Sequence, residues 1–232
     1  MHSLYKASYM SEEIVPVSLS CKKIQALYNF LSPAYDLITR YEIGPQRRAL
    51  EIAAVREGFK ILEVGFGTGK TMVEHTRRVG SRGTVYGLDV SLKMVDKTRK
   101  KIENSGFSDR LSLILGDATG APFLDCIFDV VFSSYLLDLI DTPSIPKVLF
   151  EFERIMKPGG RLVIVSLSKG FKWYDNMKLY LCLYRRVPSL LGGCRPVILK
   201  PCLQELGLRR INTELVHAGY LMPTEIIWGD KT

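Results

Sequence analysis

No stretch of this 232-residue chain approaches the roughly 18 consecutive apolar residues that a membrane-spanning helix needs, although hydrophobic residues make up 47% of it. The first 20 residues also lack the apolar core of a secretion signal, so a cytoplasmic protein is expected. Cysteine is sparse and badly spaced for metal binding. The five residues (Cys21, Cys126, Cys182, Cys194 and Cys202) form no CxxC pair, which argues against a zinc site or iron–sulfur cluster and leaves no metal in the reading. Reduced, mostly buried thiols are the expectation. Two familiar glycine loops are missing as well. Gly69-Lys70-Thr71 tempts as the end of a phosphate-cradling GxxxxGK[ST] loop, but Val64 stands where its first glycine belongs. The dinucleotide fingerprint GxGxxG fails because Lys70 occupies its third glycine.

What the chain does have is Lys60-Ile-Leu-Glu-Val-Gly-Phe-Gly-Thr-Gly-Lys70. The apolar run from Ile61 to Val64 reads as a buried strand, followed by glycines at 65, 67 and 69 and a helix-compatible segment. Without Cβ atoms, such a turn lets backbone amides approach a ligand closely. Glu63 beside the loop would repel a pyrophosphate yet suit a ligand with cationic groups, which points to S-adenosylmethionine. A second strand, Thr84 to Asp89, ends in an acid placed to accept the hydroxyls of a ribose. A third, Leu111 to Leu115, leads into Gly116-Asp117-Ala118, where Asp117 could accept from an adenine amino group. Each acid alone could be a helix cap or a solvated turn. Together, at one edge of one sheet, they make a site.

On these residues the chain resembles the class I S-adenosylmethionine-dependent methyltransferases. It is closest in pattern to the ubiquinone/menaquinone biosynthesis methyltransferases and related lipid methyltransferases. The resemblance rests on Leu62 to Gly69, Gly87-Leu-Asp-Val-Ser91, Gly116-Asp-Ala118, Phe128-Asp-Val-Val131 and Leu149 through Lys157-Pro-Gly-Gly-Arg161, and it covers residues 28–168 best. It implies cofactor contacts through Thr68, Asp89, Asp117, Ala118 and Ser134, with Tyr35 contributed from upstream. The full expected cofactor set is Tyr35, Glu63, Gly65, Gly67, Thr68, Gly69, Asp89, Val90, Met94, Asp117, Ala118 and Ser134. No catalytic residue is assigned. Methyltransferases acting on exocyclic amines of DNA bases carry [DN]PP[YFW] after the fourth strand. Here the chain reads Phe132-Ser-Ser-Tyr-Leu-Leu137, whose Ser133, Ser134 and Tyr135 are polar groups for orienting a small acceptor or for capping. Pro201-Cys202 resembles a cytosine-methylation dipeptide but follows the fifth strand, not the fourth.

The pattern predicts an α/β fold: a doubly wound, mostly parallel, seven-stranded sheet with an N-terminal helical lid. Residues 1–57 form the lid, 58–170 the cofactor-binding core, and 171–232 a substrate-side insertion with closing strands. Strands are expected near 61–65, 84–89, 111–115, 128–133 and 161–167, and helices near 70–79, 91–105 and 142–156. Lys157 to Gly160 reads as a tight turn. In the head, Ser20 could cap a helix over 21–31, followed by helical pieces over 34–41 and 46–55 separated by Gly44-Pro45. Its tyrosines, and above all Tyr35-Asp36, are candidates for covering the cofactor and excluding water, or they simply pack on the core.

Substrate choice should reside in the tail. Between 171 and 210, eight basic residues, Arg195 among them, face two acids (Asp175 and Glu205), interleaved with Phe171, Trp173, Tyr174, Tyr180 and Tyr184. Such a stretch can lie on an anionic membrane surface or be an ordinary helix with a solvated basic face. No nucleic-acid module accompanies the +8 net charge, so nucleic acid is not the expected partner. The family's His-Arg-x-Trp stretch is replaced by Gln46 to Ala49, which leaves the quinone substrate without support of its own. The expected acceptor is a small molecule with a polar head and an apolar tail. Alternatives are methyl transfer to RNA or protein, a non-catalytic cofactor-binding protein, and a nucleotide-dependent dehydrogenase. His217 and Asp36 are the candidate general bases if the acceptor must lose a proton.

Overall fold

Apolar runs with no polar alternation make strands that must be covered on both faces, and this chain supplies five of them between helices. The computed structural model describes residues 16, 17, 19–31, 35–168, 175–218 and 222–232. Seven strands form one sheet: β1 (Lys60–Val64), β2 (Thr84–Asp89), β3 (Leu111–Leu115), β4 (Phe128–Ser134), β5 (Met156–Leu167), β6 (Arg209–Ala218) and β7 (Met222–Asp230). Their order is β3-β2-β1-β4-β5-β7-β6. β1 pairs in parallel with β2 and β4, β2 with β3 and β4 with β5, whereas β7 runs antiparallel between β5 and β6. The strand order reverses between β1 and β4, so the crevice that holds a ligand opens beyond their carboxyl ends.

The eight described α-helices are α1 (Cys21–Leu31), α2 (Tyr35–Ile38), α3 (Ile43–Ile52), α4 (Lys70–Val79), α5 (Leu92–Glu103), α6 (Ile145–Ile155), α7 (Asp175–Arg186) and α8 (Lys200–Glu205). Alternate residues of the central strands feed two cores. Leu62, Val64, Val131, Leu162 and Ile164 meet Val148, Leu149 and Phe152 of α6 and Leu203 of α8 on one face. Ile61, Val130, Phe132 and Val163 meet Ala49 of α3, Met72 of α4 and Val95 of α5 on the other. Each such side chain contributes roughly 1.5–3 kcal/mol by leaving water. None of the described helices is long and apolar enough to cross a membrane.

Three local expectations are corrected. Gly44-Pro45 does not separate two helices but lies in the first turn of α3, where proline's missing N–H is no loss. Lys157 to Gly160 is not a discrete turn. It belongs to β5, where the pairing slips between Phe128 and Val130 and Gly159 takes φ 76°, the signature of a bulge. Finally, the segment at 142 begins as a 3₁₀ turn over Thr142–Ser144, with the α-helix starting at Ile145.

In the tail, α7 is a helix with a solvated basic face, on which Arg185 and Arg186 are exposed. Tyr180 and Tyr184 of α7 point into the core, while Leu179 and Leu183 are exposed. Phe171, Trp173 and Tyr174 lie outside the described residues. Arg195 is fully buried, and its guanidinium donates to the Ile140 carbonyl at 2.6 Å and to Thr142 Oγ1 at 3.2 Å. It fastens the 188–199 segment to the loop after β4. Of the four cysteines whose side chains are described, Cys194 and Cys202 are buried but Cys126 and Cys182 are exposed.

Candidate active site

A cavity of about 590 Å³ opens at the carboxyl ends of β1 to β4. Its floor is the glycine turn. Gly65, Gly67 and Gly69 all take positive φ, at 70°, 53° and 69°, in the region that L side chains rarely enter. Crowding sharpens the need at two of them. A Cβ on Gly65 would come within 2.9 Å of Leu136, and one on Gly69 would collide with Thr98 of α5. Thr98 Oγ1 in turn donates to the Gly67 carbonyl at 2.9 Å, which pins the loop's apex.

One wall is built largely from backbone. Asp89 at the end of β2 accepts from the Gly67 N–H at 3.1 Å and from the Ser91 N–H at 2.8 Å. Burial nonetheless pushes its carboxyl up to about 6. Met94 lies in the first turn of α5 and is buried against the cavity; Val90 is exposed and offers its carbonyl to Gln25 Nε2 at 2.7 Å. Gly116, Asp117 and Ala118 complete this side, with Asp117 accepting from the Thr119 N–H at 2.8 Å.

The opposite wall comes from the loop after β4 and from the head. Tyr135 sits at φ 56°, a strained conformation for a bulky residue costing on the order of 1–2 kcal/mol. It is held there by its N–H on the Val165 carbonyl (2.7 Å) and by a bond between its phenol and Thr224 Oγ1 (3.1 Å). The turn aims Leu136, Leu139 and Ile140 at the cavity. From the head come Leu19, Ile24, Gln25, Tyr28 and Tyr35. Gln25 ties α1 to the end of β2, as does Asn29, whose Oδ1 accepts from Ser91 Oγ at 2.7 Å. The rings of Tyr28 and Tyr35 lie 5.7 Å apart at 47°.

Behind the loop lies a second chamber of about 20 Å³, lined by Tyr35, Glu42, Gln46, Glu63, Thr68, Thr71 and Ser134 among others. Glu63 is only 2% exposed. Thr71 Oγ1 donates to its Oε1, but its Oε2 has no hydrogen-bond partner among the described residues. Burial pushes Glu63 up to about 8, with the nearby Asp89 charge adding to the shift against the Thr71 bond. His75, buried beneath, stands 3.9 Å from Glu63 Oε2 and is held neutral, pushed down to about 3 by burial.

The expected site residues thus divide. Tyr35, Gly65, Gly67, Asp89, Val90, Met94, Asp117, Ala118 and Ser134 line the large cavity. Glu63 and Thr68 line the chamber, and Gly69 lines neither but packs on Thr98. Thr68 Oγ1 donates to Asp36 Oδ1, whose carboxylate also pairs with Lys101 at 3.3 Å and Lys70 at 3.5 Å. Burial raises Asp36, but the Thr68 hydroxyl and Lys101 outweigh it and hold the carboxyl below its usual range. Tied up in this way and outside both cavity walls, Asp36 is unsuited as a base. The side chain of His217 lies outside the described residues. Ser133 is fully buried on the other face of β4 and does not reach the cavity. Glu42, Gln46 and Gln25 were missed by sequence reasoning, because nothing in their local pattern distinguishes them from ordinary helix-surface residues.

The donor set fits S-adenosylmethionine. Two acids, Asp89 and Asp117, line the cavity beyond β2 and β3, glycines open the floor for close backbone approach, and one oxygen of the buried Glu63 has no hydrogen-bond partner among the described residues. The methyltransferase domain family matches residues 61–160. The chain is 30% identical over 160 residues to the ubiquinone/menaquinone biosynthesis C-methyltransferase UbiE of Pseudomonas aeruginosa, covering 67% of this chain and 62% of that one. It is 31% identical over 163 residues to the demethylmenaquinone methyltransferase of Symbiobacterium thermophilum, covering 68% and 64%. The match therefore spans somewhat less than two thirds of the length of these curated relatives. Among solved structures, the fold is shared with the [4+2]-cyclase SpnF (TM-score 0.72, 17% identity, 94% and 98% covered). It is shared too with a SAM-dependent methyltransferase from Aquifex aeolicus (TM-score 0.59, 20% identity, 93% and 100% covered). Residues 61–160 are accordingly a class I S-adenosylmethionine-dependent methyltransferase domain, carried by a chain that resembles the ubiquinone/menaquinone C-methyltransferases.

Proposed function

We propose that this chain transfers a methyl group from S-adenosylmethionine to a small amphipathic acceptor, quinone-like or lipid-like. The observation that carries the reading is the division of one cavity into two chemistries. Asp89 and Asp117 line it beyond β2 and β3; Ile24, Tyr28, Leu136, Leu139 and Ile140, with Asp141 and Ser144 following in the same loop, line it from the head and from the loop after β4. The cofactor, when bound, supplies a methyl group already activated by its sulfonium. The chain's residues need only align, cover and desolvate. Asp89, oriented by two backbone amides, would hold ribose hydroxyls, and Asp117 the base. The apolar wall would take the acceptor's hydrophobic part, with Ser134 Oγ and the backbone of Tyr135 beside its polar head. α1, tied to β2 through Gln25 and Asn29, would act as the cover that excludes water.

The names of the curated relatives support a quinone acceptor, since they act in ubiquinone and menaquinone biosynthesis. The exposed Leu179, Leu183 and Val187 beside Arg185 and Arg186 support peripheral contact with an anionic bilayer on the cytoplasmic side. Cosedimentation with phosphatidylglycerol vesicles, lost on Leu179→Ser with Leu183→Ser, checks that contact. The function itself is tested by labelled methyl transfer into a cell extract split into organic, aqueous, RNA and protein fractions. Label in the organic phase is expected. Label confined to RNA or protein would overturn the acceptor class, and none anywhere would overturn the activity.

A further inference from the structure

Gly193 lies behind the cavity wall without lining it. The segment that carries it, Gly192 to Arg195, follows a 3₁₀ turn over Pro188–Leu191 and is buried from Gly193 onward. Both glycines are left-handed, at φ 66° and 78°. A Cβ on Gly193 would meet Leu19 Cδ1 at 3.3 Å, Leu139 Cδ2 at 3.6 Å and Ile24 Cγ1 at 4.0 Å. All three of those side chains line the large cavity, two from the head and one from the loop after β4. The backbone at 193 therefore stands one layer behind the apolar end, where head and loop meet.

The segment is held at several points. Tyr180 Oη of α7 donates to the Cys194 carbonyl at 2.7 Å, and the Gly193 N–H donates to the Pro188 carbonyl at 2.9 Å. The Arg195 N–H donates to the Asp138 carbonyl at 3.3 Å, and its guanidinium to the Ile140 carbonyl at 2.6 Å. Asp138 and Ile140 flank Leu139, so Arg195 fixes both the segment and the turn that faces it. In a close-packed interior held in this way, volume added at 193 is passed to Leu19, Ile24 and Leu139, and so to the cavity.

We propose that Gly193 is a specificity-determining residue: its missing side chain sets the room left for the apolar part of the methyl acceptor. The inference rests on the reading of this end as the acceptor's and names the residue that sets its depth. A hydrophobic pocket separates ligands that differ by one methylene by about tenfold or more. One carbon atom behind the wall is thus enough to change which acceptor fits. Gly192 separates this role from the demands of the turn. It shares the left-handed backbone, but a Cβ there meets only Tyr28 Oη, at 3.8 Å, an ordinary contact. Two adjacent glycines carry the same conformational need, and only Gly193 carries the steric one.

The test measures labelled methyl transfer by the full chain from S-adenosylmethionine into the organic fraction of a cell extract, with the labelled products resolved by reversed-phase chromatography. Gly193→Ala should raise the amount of extract needed for half-maximal rate about tenfold and move the label toward smaller acceptors, while S-adenosylhomocysteine affinity stays within about twofold by calorimetry. Gly192→Ala should be destabilised by the same backbone strain yet keep the wild-type product profile. An unchanged profile in Gly193→Ala, or the same shift in both variants, would overturn the proposal and leave the transfer reading intact. Equal losses of acceptor use and S-adenosylhomocysteine affinity would overturn it too, as a general loosening of the fold. No organic label with the wild type would overturn the acceptor class, and the inference with it. Should Gly193→Ala fail to fold, Leu139→Ala removes the crowding and admits larger acceptors. Adding Gly193→Ala on that background should shift the products back toward those of the wild type, and no shift would again count against the proposal.

Discussion

The two walls of the cavity are built from different materials. On the proposed nucleoside side, three strand ends lie within 60 residues of one another, and the parts that matter are backbone: glycines at positive φ and amides aimed at Asp89. On the proposed acceptor side, the wall is assembled from side chains of the head and the loop after β4, and the tail packs behind it, up to 166 residues away, as in the contact of Tyr28 with Cys194. The first kind of wall depends on conformation, the second on long-range packing. They should fail differently.

The largest expected effect lies on the packed side. Arg195→Met removes the guanidinium that donates to the Ile140 carbonyl and to Thr142 Oγ1, and with it the cation nearest the buried Asp138. Losing two hydrogen bonds from a charged donor costs about 3–5 kcal/mol, at about 1.5–3 kcal/mol each. A drop in melting temperature on the order of 10 °C is expected from that loss, partly recovered by adding Asp138→Asn. A melt unchanged by Arg195→Met would show that the tail is not fastened there.

On the backbone side, Gly69→Ala should cost about 3 kcal/mol, the sum of a left-handed residue and a collision with Thr98. Gly67→Ala should cost only about 1 kcal/mol, because its Cβ meets nothing closer than Tyr35 at 3.6 Å. It should reduce cofactor binding more than stability. Denaturant unfolding of both variants measures the difference, and equal losses would mean that φ alone decides at this loop.

Much of this contrast explains what the chain order reveals. The strands, the sheet and the Asp89 and Asp117 positions are legible because an apolar run followed by glycine or acid is a local signal. The roles of Glu42, Gln46 and Arg195 are not, since each depends on a partner brought in by the fold. Thr68 shows the limit within a motif. Its place in the loop was evident, but its bond to Asp36, 32 residues upstream, was not.

The buried acids of the chamber behind the loop add a dependence on pH. Glu42 and Glu63 are raised to about 7 and about 8 from 4.5, so the folded chain keeps protons that the unfolded chain releases. Stability without ligand therefore falls as pH rises through that range. His75, lowered from 6.5 to about 3, acts in the opposite direction but only below 6.5. Asp138, raised further, shares the sign of the glutamates. Between pH 6.5 and 8 the two glutamates should lower stability by about 2 kcal/mol, and S-adenosylhomocysteine should flatten the slope. Melting curves at both pH values with and without ligand decide it; a melt that rises with pH in the free protein would contradict the burial of these carboxyls.

The smallest effect is expected where the walls meet, at Tyr35. Its ring lies against Gly67 and borders both spaces, and its burial shifts the phenol well above its usual range, so it acts as an uncharged surface. Tyr35→Phe keeps that surface and should leave S-adenosylhomocysteine affinity within about twofold, whereas Tyr35→Ala opens the cover and should weaken it about tenfold, comparable to losing one buried aromatic contact. Isothermal calorimetry on the two variants separates a cover from a core residue. Equal affinity in both would confine Tyr35 to packing, and the head would then border the site without closing it. A loss in Tyr35→Phe as large as in Tyr35→Ala would instead put the hydroxyl, not the ring, at the contact.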